Sequence, residues 1–435
     1  MTVTADVVVV GAGVIGSSTA LELARAGFNV VVVDRLGGPG QGSTSASSAV
    51  VRFNYSTFAG VAAAWEAKHC WETWDEYLGA VDRAGMARFH RTGMVFLDVD
   101  VAPKERVMPL FDRAGIPYEV WGPATLATRL AGIDTGRYWP PKRLDDEAFW
   151  AEPTEQLGAL WTPDAGFVDD PLLAAVNLAN AARQAGAQFL FKRQVTAVRR
   201  SGGRVAGVEL ADGERIDAPI VVNVAGPWSS ALNRLAGVGD DFTITVRPMR
   251  QEVHFVAAPA GYSEGNRLGP VIADLDLGTY LRGAPGNGLY VGGTEPACDL
   301  MQWLDDPDEA NPHPTGAVFE AQVTRAARRL TDLGVPTAPR GTAGVYDVAD
   351  DWTPIYDRTA LDGFYVAIGT SGNQFKNAPV AGRFLAAIIT AVENGHDHDT
   401  RPVRYRGEHT GLTVDLAAFS RRRPVNADSS GTVMG

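Results

Sequence analysis

The sequence predicts a protein that is α/β in one unit and α+β overall, a discontinuous parallel-sheet unit joined to an antiparallel-sheet unit. Three observations carry this. Runs of β-branched residues beside glycines and helical patterns recur in three separated stretches, as in strands buried on both faces of a parallel sheet. Two intervening stretches instead alternate as antiparallel strands. The chain has 435 residues, more than one compact core usually holds. The parallel unit is assigned residues 1–90, 151–240 and 336–420. The antiparallel unit takes 91–150 and 241–335, and 421–435 is read as a polar, frayed tail.

Asp6 to Val10 is the first buried strand. After a glycine turn, a helix runs to Gly27, its C-terminal stop. Phe28 to Asp34 is the next strand, completing a βαβ unit with a right-handed crossover. Residues 41–52 form a polar loop of small residues. Phe58 to Leu78 is helical, with Trp65, Trp71 and Trp74 as core. Thr92 to Asp100 is a strand and Lys104 to Ala114 a helix. A helix, a glycine and a strand follow from Pro171 to Phe191, then a hairpin at 211–214 and a buried strand, Ile216 to Gly226. Phe242 to Gly293 alternates. Phe319 to Leu330 is a helix, Gly363 to Gly369 a last buried strand and Val380 to Val392 a final helix.

A net charge of −12 argues against nucleic acid and anionic membrane surfaces as partners. It leaves room for small anions, which need only one or two local cations. Cys70 and Cys298 make neither a disulfide framework nor a zinc site and read as packed residues. His396 and His398 have metal-like spacing but fall on a polar turn, and no metal is expected. No stretch approaches the roughly 20 apolar residues of a membrane span. With no cationic leader, the chain reads as cytoplasmic. Its oligomeric state is open.

Gly11-x-Gly13-x-x-Gly16, with Val14 and Ile15 inside it, follows a buried strand and opens a helix. In that context it is a Rossmann-like dinucleotide turn. Gly11 allows the tight turn, Gly13 the approach of a pyrophosphate to the helix N-terminus, and Gly16 close packing. Asp34 stands about twenty residues on, where an acid accepts from a ribose hydroxyl. The chain lacks a second such turn, so one dinucleotide is expected. A second helix N-terminus after GTSGNQFKNAP (369–379) suits a reduced flavin. FAD is therefore preferred to NAD.

The chain resembles the FAD-dependent oxidoreductases of the D-amino-acid oxidase type: glycine oxidase, monomeric sarcosine oxidase and the dimethylglycine dehydrogenases. The markers are VVVVGAGVIGSS, Asp34-Arg35, GSTSASSAVVR, GFVDDPLLAA, VVNVAGPWS, RPMRQE, LYVGG, RGTAGVYD and GTSGNQFKNAP, in the family's order over nearly the whole chain. The resemblance implies that Ser43, Thr44 and Ser48 line the flavin phosphates or ring edge. Val195 holds the adenine, and Ala225, Gly226 and Trp228 lie along the cofactor, with Arg35 and Gly344 also at it. Gly369, Gly372, Asn373, Gln374, Phe375 and Lys376 wrap the flavin ring. Arg52 and Lys376 match a pair that holds a substrate carboxylate, and Tyr346 an aromatic that closes the pocket. These three form the candidate catalytic set. The plainer alternatives are that Arg52 pairs with a local acid, Lys376 is solvated and Tyr346 is packing alone.

Both of the family's covalent flavin anchors are replaced, a cysteine by Gly344 and a histidine by Ala46, so non-covalent FAD is expected. An oxygen-activating lysine aligns with Tyr290, which leaves oxygen or another electron acceptor open. The implied reaction is oxidation of the C–N bond of a carboxylate-bearing amine, an amino acid or N-alkyl amino acid. Hydride passes to flavin N5 and the imine hydrolyses, with the cofactor carrying the chemistry. Glu252 and His254 are read as structural. The rival readings are a 2-hydroxy-acid dehydrogenase, a partner-dependent flavin subunit of a larger complex, and an NAD-dependent dehydrogenase.

Overall fold

The computed structural model describes residues 3–83, 85–263 and 267–434; Met1, Thr2 and Gly435, the ends of the expected first unit and tail, lie outside them. A six-stranded sheet runs in the order Gln188–Phe191, Val30–Asp34, Val7–Val10, Ile220–Asn223, Phe364–Ile368, Ile355–Arg358. Its first five strands are parallel and the last is antiparallel. The valine runs fit because both faces are covered. Val7, Val9, Val30 and Val32 pack toward the helices Val14–Arg25, Pro171–Gln184 and Ala378–Glu393. Val8, Val10, Val31 and Val33 pack toward a four-stranded sheet that includes Val195–Ser201 and Arg204–Leu210.

A nine-stranded sheet forms the second unit. Its spine is the twelve-residue strand Val246–Ala257, which pairs antiparallel with Gly288–Gly293, Gly341–Ala349 and Gln302–Trp303. One pair within this sheet is parallel, Val271–Asp274 with Met94–Leu97. On the strand Val246–Ala257 side chains alternate in direction. Gln251 and Val253 line a cleft, while the next residue, His254, meets Phe319 of the helix Gly316–Arg329 at 5.2 Å on the other face.

Several expectations are corrected. The strand expected from Ile216 to Gly226 is two strands in different sheets, Arg215–Asp217 and Ile220–Asn223. Pro219 between them has no N–H for a ladder. The helix expected from Phe58 to Leu78 breaks at Thr73 into Phe58–Glu72 and Trp74–Leu78, with Trp65, Trp71 and Trp74 buried as expected. Ala159–Thr162 and Gly341–Ala349, assigned to the parallel unit, pair into the nine-stranded sheet. The tail is not frayed. Arg421 is buried against Asp357, Asp399 and Asp241, and Arg423 against Asp351. His398 is likewise buried, beside Asp357, whereas His396 is bound to the Arg401 carbonyl. Among the described residues no helix is long and apolar enough to cross a membrane.

Candidate active site

Two adjoining cavities lie where the sheets meet. The larger is an open cleft with about 1720 Å³ of empty space, mouth included. The glycine turn forms one wall. Gly11 has φ +113°, and a Cβ there would lie 2.3 Å from the Val224 carbonyl oxygen. A Cβ on Gly16 would lie 2.0 Å from the Gly11 carbonyl oxygen, so this glycine compacts the turn itself. The first turn of the helix Val14–Arg25 holds no acid, and its cap is Gly13. Thr44 Oγ1 accepts the Val14 N–H at 3.1 Å. The other leading N–H groups have no acceptor within the helix, which makes an anion site. Asp34 accepts the N–H groups of Ala12 and Leu36, both at 2.7 Å. Each carboxylate oxygen keeps capacity for a further hydrogen bond, such as one from a ribose hydroxyl. An acid, an N–H crown and a long cleft together fit a dinucleotide.

Most of the residues expected at the cofactor line this cleft: Gly11, Gly13, Val14, Ile15, Gly16, Asp34, Arg35, Ser43, Thr44, Ser48, Val195, Ala225, Gly226, Trp228, Gly344, Gly372, Gln374 and Phe375. Arg35 stacks on Trp228 at 4.2 Å, and both bind Asp308. Ser43 donates to the Val345 carbonyl at 2.6 Å. Gly369 lines neither cavity. With φ +69° it turns the chain out of the strand Phe364–Ile368, and a Cβ on it would meet Ala349 at 3.0 Å. Asn373 and Lys376 line the second cavity instead. Tyr290 lines neither; it lies under the Arg282 guanidinium and edge-on to Phe255.

The second cavity has about 490 Å³ of empty space and shares Ser47, Ser48, Tyr346, Gly372 and Phe375 with the cleft. Arg52, Lys376 and Tyr346 converge on it. Arg52 is buried, and among the described residues no acid pairs with it. Its guanidinium donates to the carbonyl of Asn54 and, at 2.6 Å, to that of Val433. Lys376 is buried, not solvated, and donates to the Asn373 carbonyl. The Tyr55 ring lies 5.0 Å from each cation. Burial, then the nearby Arg52 charge, holds the Lys376 ammonium well below the usual lysine range. Burial also lowers Arg52. The loop carrying Lys376 is fixed from behind. Trp71 Nε1 donates to the Lys376 carbonyl at 2.7 Å, and its ring stacks on Phe375. Tyr346 packs on Gly372, where a Cβ would fall 2.3 Å from the ring.

Residues 6–388 match the family described as FAD dependent oxidoreductase (DAO). The chain belongs to this family. It is 26% identical over 415 residues to N-methyl-L-tryptophan oxidase of Escherichia coli, across 92% of this chain and 98% of that protein. Its fold is similar to that of L-proline dehydrogenase from P. horikoshii, with TM-score 0.73, 23% identity and coverage of 90% and 95% of the two chains. Glycine oxidase from Geobacillus kaustophilus gives 0.70, 20%, 92% and 98%. At these identities the two structures speak to the fold alone. The protein is thus an FAD-dependent oxidoreductase, and the cleft built on the Gly11 turn has the shape and donor groups for that cofactor.

Sequence reasoning missed several cavity residues. Tyr280, bonded to Ser48 at 2.9 Å, carried no motif. Gln251 lies inside RPMRQE, but only strand register shows that it faces the cleft. Val433 and Met434 line the second cavity from the segment expected to be frayed. Glu252 and His254 face away from the cleft as structural residues. Glu252 binds Arg250 and Thr315, and burial lowers His254 to about 4.

Gly11→Ala is expected to yield a colourless or insoluble chain, because both the φ and the Val224 contact forbid a Cβ. The flavin-to-protein absorbance ratio measures this. A folded, fully yellow variant would contradict the turn's role.

Proposed function

We propose that this protein oxidises the C–N bond of a carboxylate-bearing amine, an amino acid or N-alkyl amino acid, using non-covalent FAD. One observation carries the reading: two buried cations with no paired acid among the described residues, Arg52 and Lys376, share a cavity that opens onto the dinucleotide cleft. A carboxylate supplies what they lack, and two cations from separate segments orient it. By their names, the E. coli N-methyl-L-tryptophan oxidase and the Geobacillus glycine oxidase act on amines of this kind.

When bound, FAD supplies the two-electron acceptor. The chain supplies position. Arg52 and Lys376 grip the carboxylate, Tyr346 and Tyr280 wall the pocket, and the aromatic backing of Phe375 and Trp71 keeps the loop fixed. A neutral amine asks for placement more than for a strong base, which accords with Glu252 and His254 lying behind the sheet. Non-covalent binding is supported by Gly344 and Ala46. Both line the cleft, a Cβ on Gly344 would touch Ala46 at 2.8 Å, and neither carries a nucleophile.

Anaerobic mixing with a panel of amino and N-methyl amino acids is expected to bleach the flavin. Arg52→Met should lower kcat/KM for them by an amount equivalent to about 2 kcal/mol or more. Bleaching by 2-hydroxy acids and not by amines would overturn the reading.

Acid precipitation of the holoprotein should leave the yellow colour in the supernatant; colour retained in the pellet would show a covalent link.

Carboxylate affinity should fall as pH rises through the lowered Lys376 pKa, because the ammonium goes neutral and leaves Arg52 alone. Glu295, which burial pushes up to about 8, ionises over alkaline pH and weakens anion binding in the same direction. The comparison with Lys376→Met therefore isolates the lysine: its affinity is lower at low pH, and only the Glu295 step remains. Parallel profiles for the two proteins would contradict this.

A further inference from the structure

The segment after Arg423 runs into the second cavity, which Val433 and Met434 line. Asn426 ties it to Ser56 at 2.8 Å. A local turn follows, in which Ser430 Oγ meets Thr432 Oγ1 at 2.9 Å and Met434 N–H donates to Thr432 Oγ1. Thr432, Val433 and Met434 are buried. The Val433 main chain makes two contacts. Its carbonyl accepts from Arg52 Nη2 at 2.6 Å, and its N–H donates to Glu295 Oε2 at 2.7 Å.

Glu295 is a buried acid that no motif singled out. It leaves the strand Gly288–Gly293 with φ +51°, a conformation that costs a non-glycine residue energy. Gln251 donates to its other oxygen at 3.0 Å. Thus one tail residue spans an unpaired cation and an acid. The atoms that do so, N–Cα–C=O, have the connectivity of an α-amino acid: nitrogen toward the acid, carboxyl-type oxygen toward the guanidinium.

We propose that Val433 is an internal stand-in for the substrate's N–Cα–C(=O) unit, so that Glu295 accepts from the substrate amine and residues 432–434 withdraw when substrate binds. This rests on the reading of Arg52 as the carboxylate anchor. It narrows the substrate class to α-amino and N-alkyl α-amino acids, in which amine and carboxylate sit on one carbon. It also makes the tail a competitor for the site. The amide offers Arg52 only a neutral dipole, whereas a carboxylate offers a charge-assisted bond. Burial raises Glu295 to about 8, so its carboxyl holds its proton at neutral pH; an arriving ammonium favours the ionised form.

Two probes of equal shape test this on the holoprotein, read by the flavin absorbance shift. α-Aminoisobutyrate has no α-hydrogen to lose, and pivalate carries a methyl where the amine would be. Deleting residues 428–435 should tighten both by about tenfold, as removal of a competitor from a mostly occupied site does. Glu295→Gln should reduce the preference for α-aminoisobutyrate over pivalate, whatever change the two probes share through the tail. Deletion that leaves both affinities unchanged, or weakens them, overturns the competitor role. Equal loss for both probes in Glu295→Gln overturns the amine-acceptor role. If the deleted chain fails to retain flavin, Val433→Pro, which removes the donated N–H at full length, gives the same readout. Arg52→Met separates the two readings: pivalate binding that survives it sinks the carboxylate anchor, whatever the tail does.

Discussion

Taking a guanidinium and an ammonium out of water costs several kcal/mol per ion unless an anion or oriented dipoles replace the lost hydration. Arg52 and Lys376 receive dipoles and a ring: the carbonyls of Asn54, Val433 and Asn373, and the face of Tyr55. These keep the charges tolerable without cancelling them, and they repel each other across the cavity. A site held in that condition favours an anion of the right shape over water. The surrounding structure exists largely to keep it so. Tyr55 donates to the Asn373 carbonyl, Gln374 and Asn377 amides reach the Tyr55 hydroxyl, and Tyr356 donates to Gln374. Each bond stops the loop from carrying Lys376 away to solvent.

The site's position follows from the direction of the parallel strands. Val7–Val10 and Phe364–Ile368 flank Ile220–Asn223, so their C-terminal ends open on one edge. From that edge leave the glycine turn, the 224–228 segment and the 369–377 loop, the crevice where open α/β sheets bind ligands. The nine-stranded sheet closes it from the other side. Four successive residues of the strand Gly341–Ala349, Gly344 to Asp347, line the cleft, and Tyr346 also reaches the second cavity. The two units thus contribute different walls. One supplies the dinucleotide face and both cations, the other the aromatic face and Glu295.

What was legible in the sequence was local. The turn from Gly11 to Gly16, Asp34 and the buried valine runs announce themselves through spacing and residue type alone. Arg52, Lys376 and Tyr346 were reached through family resemblance, and the structure brings them to one cavity. Facts of pairing were not legible. Gly341–Ala349 reads as a strand anywhere, and only its partner Val246–Ala257 decides its sheet. Gly369 sits in a glycine-rich loop that touches the cleft through its neighbours, and spacing does not reveal which glycine faces inward. The tail failed most plainly, because three arginines in succession read as solvated. Arg421 and Arg423 are held in by Asp241, Asp351, Asp357 and Asp399, all far from them in the sequence or in the preceding loops, while Arg422 stays exposed.

That ionic anchor also divides the tail into parts of unequal stability. Through Arg423 it is held by buried charge pairs whose loss leaves uncompensated ions, a change costing roughly 3–5 kcal/mol. Beyond Asn426 the described contacts include no buried charge pair: the hold combines hydrogen bonds, each worth about 1 kcal/mol net and more where Arg52 takes part, with burial of the Val433 and Met434 side chains in the core. Local opening follows such gradients. Opening confined to the distal turn would leave the arginines seated, and it would expose Val433 and Met434 unless a ligand replaced them. A strap anchored at Arg421 and Arg423 would return to the same place after such an opening, because its anchor sets the length of chain available to reach Arg52 and Glu295.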